Sequence, residues 1–208
     1  MPPNLTAAAA ATAAAVATVI GSCKWMVLDI AALRGPNNEL VVKELAYEDH
    51  RSTTGGGIGC GTLIFSPPCP SELLPAQIRN TNRWITTNLH GIRWDDGFVE
   101  YEKLREILLW IIADHRVIYV KGFEKAQFLT EFIGLGKLFV DLHLIGCPKA
   151  SDLLSSRFTG LFSCTTHRHN PKNCPFTKCG VYADWLAGRK TRNPFLINRA
   201  IVDMNNHD

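Results

Sequence analysis

Three residues toward the C-terminal end have the types and the spacing to hold a soft metal ion. They are Cys164, His167 and Cys174, in the pattern Cys-x2-His-x6-Cys. Thiolate and imidazole suit zinc, and a structural zinc takes four ligands in a tetrahedron. The loop after His167 reads Arg-His-Asn-Pro-Lys-Asn, rich enough in turn formers to fold the three back on one another. The opposing reading is a cysteine-rich loop without metal, and three ligands at close spacing favour zinc over it. Cys179 would add a fourth, local ligand, although its place in an apparent helix suits a buried core thiol equally well. His169 is either a spare ligand or a solvated loop residue.

Other residues carry weaker chemical signals. Asp141 lies at the end of an apolar run, able to serve as a carboxylate ligand or merely to cap and pair. Lys121 and Lys125 could meet phosphate as point charges, against the plain alternative of two solvated lysines at a strand end. Trp94 with Asp95 and Asp96 reads as a structural turn around a packed tryptophan. The stretch His-Arg-Ser-Thr-Thr-Gly-Gly-Gly-Ile-Gly-Cys-Gly is no phosphate-binding loop, because it lacks the closing Gly-Lys-Ser/Thr and no helix pattern follows.

The elements that must position these residues can be read from periodicity. Of 208 residues 46% are hydrophobic, which suits one medium domain with a true core. Strand patterns at 24–33, 39–49 and 62–66, the first two separated by Arg-Gly-Pro-Asn-Asn, predict a three-stranded meander. Prolines then break the sheet, and helical pieces follow over 71–92. The spacing of Val99, Leu104, Ile107, Leu108, Ile111 and Ile112 predicts a helix within 98–115. A buried-type strand at 116–122, a helix at 123–136, a strand at 138–146, a short helix near 150–158 and a last helix at 178–188 complete the order. Strands alternating with helices should lie parallel, so the fold class expected is α/β with a mixed sheet flanked by helices. Residues 1–23 form an alanine-rich low-complexity tail, 24–188 the domain and 189–208 a polar tail. The N-terminal stretch lacks the positive charges of a secretory signal, so a cleaved targeting peptide is the lesser alternative.

Charge and cysteine usage narrow the setting. With 22 basic and 19 acidic residues the net charge is +3, a slight lean toward anionic partners. Seven cysteines without framework spacing point to a reducing compartment, cytoplasmic or nuclear. No stretch is long and apolar enough to predict a membrane span.

Element order and short motifs together resemble the exonuclease branch of the ribonuclease H-like fold, whose active members carry a DEDDh residue set. The resemblance runs over about residues 24–187 and rests on Val-Leu-Asp-Ile-Ala-Ala-Leu, Leu-His-Gly-Ile, Val-Ile-Tyr-Val-Lys-Gly-Phe-Glu-Lys, Val-Asp-Leu-His and the Cys/His stretch. Active members hold two divalent metals on four carboxylates. Here Ala31 stands at the second carboxylate, Glu124 and Lys125 occupy the place of the middle aspartate, and Cys174 replaces the last. Ordinary two-metal catalysis is not expected. The exchange of oxygen ligands for cysteines is similar to the Maelstrom domain, a member of the same fold in small-RNA silencing of transposons that binds zinc through Glu-Cys-His-Cys. That resemblance implies a structural zinc on Asp29, Cys164, His167 and Cys174, with aspartate in place of glutamate. It implies a catalytically degenerate domain that binds nucleic acid, above all single-stranded RNA, through Lys121 and Lys125, alongside protein partners of a silencing complex. It also implies a perinuclear-granule location. Two alternatives stay open: a metal-independent single-stranded RNA endonuclease, and a protein-interaction scaffold derived from a mobile element or virus.

Overall fold

A computed structural model describes residues 24–49, 59–134, 136–157 and 173–190. The N-terminal tail, the C-terminal tail beyond Lys190, most of the glycine-rich stretch, Cys164, His167 and His169 lie outside the described residues.

The meander forms as its patterns predict. Strand β1 (Trp25–Arg34) pairs antiparallel with β2 (Leu40–Asp49), and β2 with β3 (Cys60–Ile64). The chain then crosses over, so that β4 (Val117–Val120) lies parallel to β1, and β5 (Leu138–Asp141) parallel to β4. The strand order is β3-β2-β1-β4-β5. This mixed sheet flanked by helices is the ribonuclease H-like topology.

Helices cover both faces. On one side, α2 (Leu104–Ile112) and α3 (Phe123–Ile133) bury Leu104, Leu108, Leu129 and Ile133 against Met26, Leu28, Ile30 and Leu45. On the other, α4 (Ala150–Arg157) and α5 (Pro175–Lys190) pack Ala150, Val181, Tyr182 and Leu186 onto Trp25, Val27, Tyr119 and Val140. Burial on both faces explains the continuous apolar runs of β1 and β4, because no face is left to water. α1 (Ala76–Ile85) lies beyond the end of β1. The buried Asn82 ties it there: the Arg34 amide donates to Asn82 Oδ1 at 2.7 Å, and Asn82 Nδ2 donates to the Arg34 carbonyl at 2.8 Å.

Some boundaries differ from the sequence reading. α5 starts at Pro175, three residues before the predicted Lys178, since proline is tolerated in a first helical turn. β5 stops at Asp141, because its carboxylate accepts the amides of Gly122 (2.9 Å) and His143 (2.8 Å) and turns the chain. The helical pieces at 71–92 resolve into a short 3-10 turn, α1 and a π turn over Thr86–His90 that ends at Gly91 with φ 78°. Gly97, at φ 119°, lets the loop lie on the backbone of Phe65, where a Cβ would stand 2.2 Å from the Phe65 oxygen. Trp94 is packed as expected, its indole donating to the Cys69 carbonyl at 2.9 Å.

A charge-paired candidate nucleic-acid cleft

Where α1, α3 and the start of α5 meet the end of β1, they enclose a cleft of about 270 Å³. Ile30, Ala31, Leu40, Ile85 and Leu89 give it an apolar wall, and Arg34, Glu124, Lys125 and Lys178 a charged one. His90 closes one side. Its Nδ1 accepts the Ile92 amide at 3.2 Å, so the other ring nitrogen, 3.2 Å from the Ala32 carbonyl, carries the proton and donates. That pair of bonds holds the π turn against β1, and such turns recur at functional sites.

Beneath the cleft lie two buried carboxylates. Asp29, 1% exposed, sits on β1; Glu44, 0% exposed, sits on β2. The register places Glu44 directly opposite Ala31, so its side chain and that of Asp29 share one face of the sheet. Thr62 Oγ1 donates to Glu44 Oε1 at 2.8 Å. Burial pushes the Glu44 pKa up to about 7; the Thr62 bond, Lys178 and Lys125 oppose that rise and the charge of Asp29 reinforces it.

Two ammonium groups answer these carboxylates. Lys125, in the first turns of α3, donates to Asp29 Oδ1, and Lys178 of α5 stands 4.0 Å from Asp29 Oδ2. At the rim Arg34 pairs with Glu124 at 2.8 Å. Of the three cations, Lys178 is therefore held most loosely. At the rim the Arg34 charge is met by Glu124, and deeper in the cleft Lys125 and Lys178 face the one carboxylate of Asp29.

The expected site residues divide. Asp29 and Lys125 meet, and Lys125 faces the cleft. Lys121 instead donates to the Cys147 carbonyl at 2.5 Å, and Asp141 serves the loop described above. Cys174 is fully buried between Asn173 and Pro175, both of which line the cleft. Cys179 is a core thiol that donates to the Ala46 carbonyl at 3.4 Å, and burial raises its pKa well above the usual thiol value. Lys178 and Glu44 were not among the residues the sequence singled out. The spacing Cys174-x3-Lys178, one helical turn, was the available signal for the first.

Do these side chains suit a metal? Among the described residues no three of His, Cys, Asp or Glu gather into a metal-binding group. A divalent cation on Asp29 Oδ2 would face the Lys178 ammonium, 4.0 Å from that oxygen, and stand beside the Lys125 ammonium on Oδ1, two repulsions that set this pair of carboxylates against the two-metal arrangement. Cys174 carries the thiol a zinc would take, and Asp29 could offer Oδ2, which Lys125 leaves open. Among the described residues no helix is long and apolar enough to cross a membrane. Compared with known proteins, the sequence matches no family model and none of the curated proteins.

Proposed function

We propose that this chain is a catalytically degenerate nuclease-fold domain that holds single-stranded nucleic acid, RNA foremost, in its cleft. The observation that carries this reading is the Lys125–Asp29 pair. Lysine charge stands on the carboxylate that an active member would give to metal, and a lysine-bearing mouth beside an apolar wall suits a phosphate and its base. A part in small-RNA silencing of transposons, with protein partners, follows from the resemblance alone.

Binding is tested by fluorescence anisotropy with a labelled single-stranded RNA over a salt series without chelator, and a parallel set of tubes with chelator reads cleavage alone. Wild type is expected to bind with a log K that falls as log salt rises, and Lys178→Ala to weaken binding severalfold and flatten the slope by about 0.7, one phosphate contact on a single strand. Salt-independent binding, or no binding, would remove the nucleic-acid reading and leave a protein scaffold. Shortened RNA in the chelator tubes would replace it with metal-independent cleavage.

The reading includes a structural zinc at Cys164, His167 and Cys174. Elemental analysis is expected to find one zinc per chain, lost in His167→Ala. Retention of zinc in Asp29→Asn would separate Asp29 from the ligand set. Zinc-free wild-type protein, purified without chelator, would rule the zinc out and leave the lysine cleft standing.

A further inference from the structure

Four aromatic side chains on the described surface stand well out into water: Trp84 (59%), Phe98 (77%), Trp110 (65%) and Phe123 (72%). Three of them have carboxylates for neighbours. Phe98 lies between Asp96 and Glu100, Trp110 has Glu106 and Asp114 one helical turn away on either side, and Phe123 is followed by Glu124. Trp84 differs. From Ala76 through Arg93, the segment that contains α1 and the π turn, there is no acidic residue, while Arg79, Arg83 and Arg93 are basic. The helical neighbours of Trp84 on its exposed side, Asn80, Thr81 and Asn88, are neutral hydrogen-bonding side chains.

We propose that this face of α1 is a stacking platform for single-stranded nucleic acid, with Trp84 receiving a base of the strand whose phosphate lies in the cleft. The proposal rests on the function given above and adds where the strand runs. Ile85, the next residue, and Leu89, one turn further, line the cleft, so Trp84 stands on the flank of the wall they form. Asn82 fixes that flank to the end of β1. An indole on an anchored, acid-free helix offers a π face at small entropic cost, and base stacking tolerates any sequence. Arg79 and Arg83 on the same helix, with no acid among them, favour an anionic strand over an apolar protein surface as the occupant. A duplex keeps its bases stacked inward and has none to offer, so the ligand class is a single strand.

The test compares wild type, Trp84→Ala, Trp84→Phe and Lys178→Ala by anisotropy with one labelled single-stranded RNA and its duplex, at several salt concentrations. Trp84→Ala is expected to weaken single-strand binding about tenfold without changing the salt slope, and Trp84→Phe to recover most of the loss. An unchanged melting temperature in both variants shows that the exposed position leaves the fold intact. If Trp84→Ala binds like wild type while Lys178→Ala is weakened, the platform is overturned and the cleft stands. Equal loss on the duplex also overturns it. Absence of binding in wild type overturns both.

Discussion

Lys43→Met is expected to lower the melting temperature by about 10 °C. Lys43 is fully buried in β2, and its ammonium donates to three backbone carbonyls: Phe65 at 2.6 Å, Trp94 at 2.7 Å and Asp96 at 2.7 Å. Burial pulls its pKa down to about 8 while Asp96 and Asp95 hold it up, so at neutral pH all three N–H groups remain to donate. Methionine matches the length of the stem and supplies no donor. Two buried acceptors and one part-buried acceptor would then lack their partner, at a combined cost of about 3 kcal/mol, since each buried bond to a charged donor contributes on the order of 1.5 kcal/mol. For a domain of this size each kcal/mol moves the melting temperature by roughly 3 °C. Calorimetry reads the shift directly. A drop of under about 2 °C would mean that water reaches those carbonyls and that the loop over Phe65 is held by something else.

The second large effect is a pH dependence that Glu44→Gln should abolish. The folded pKa of Glu44, about 7, lies above the value of 4.5 expected of the unfolded chain. Between these the folded state holds a proton that the unfolded chain has released. Stability from this group is therefore complete below about pH 4.5 and is lost as pH rises through 7. Glutamine keeps the shape and the Thr62 contact without ionising. With chelator present, its stability advantage over wild type should grow from about 1 kcal/mol at pH 5 to about 3 kcal/mol at pH 8, by linkage on a shift of this size. Urea melts at the two pH values decide it, and a pH-independent difference would show that Glu44 stays ionised throughout.

These two side chains show where the sequence was legible and where it was not. The strands and helices around them announce themselves, because runs such as Trp-Met-Val-Leu in β1 and Val-Ile-Tyr-Val in β4 have few other uses. The adjacent Lys43 and Glu44 read as ordinary polar positions of a strand. They are instead buried on opposite faces of an interior strand, which nothing in their spacing reveals. Asp29 and Lys125 were visible as candidates, but not that they would meet. That meeting depends on α3 lying along the end of β1, a contact between residues far apart in the chain. Glu44 opposite Ala31 is likewise a fact of register, set beside the bulge between Ala31 and Ala32. Lys178 offered only its spacing from Cys174, a signal too slight to mark it without the helix that turns it toward Asp29.

The order in which this chain is made adds a consequence. Of the described elements β1 and β2 are made first, yet the helix that sets Lys178 against the face bearing Asp29 and Glu44 is α5, the last of them. Until α5 emerges, that side of the nascent hairpin is wet and both acids stay hydrated and ionised at little cost. Desolvation of the two carboxylates, delivery of Lys178 and closure of the cleft thus fall on one late event, after the opposite layer of α2 and α3 can already pack. A domain whose last described helix completes its charge pairing should rest on the ribosome as a half-covered sheet, and a chain truncated before Pro175 should be a substrate for chaperones rather than a smaller folded domain.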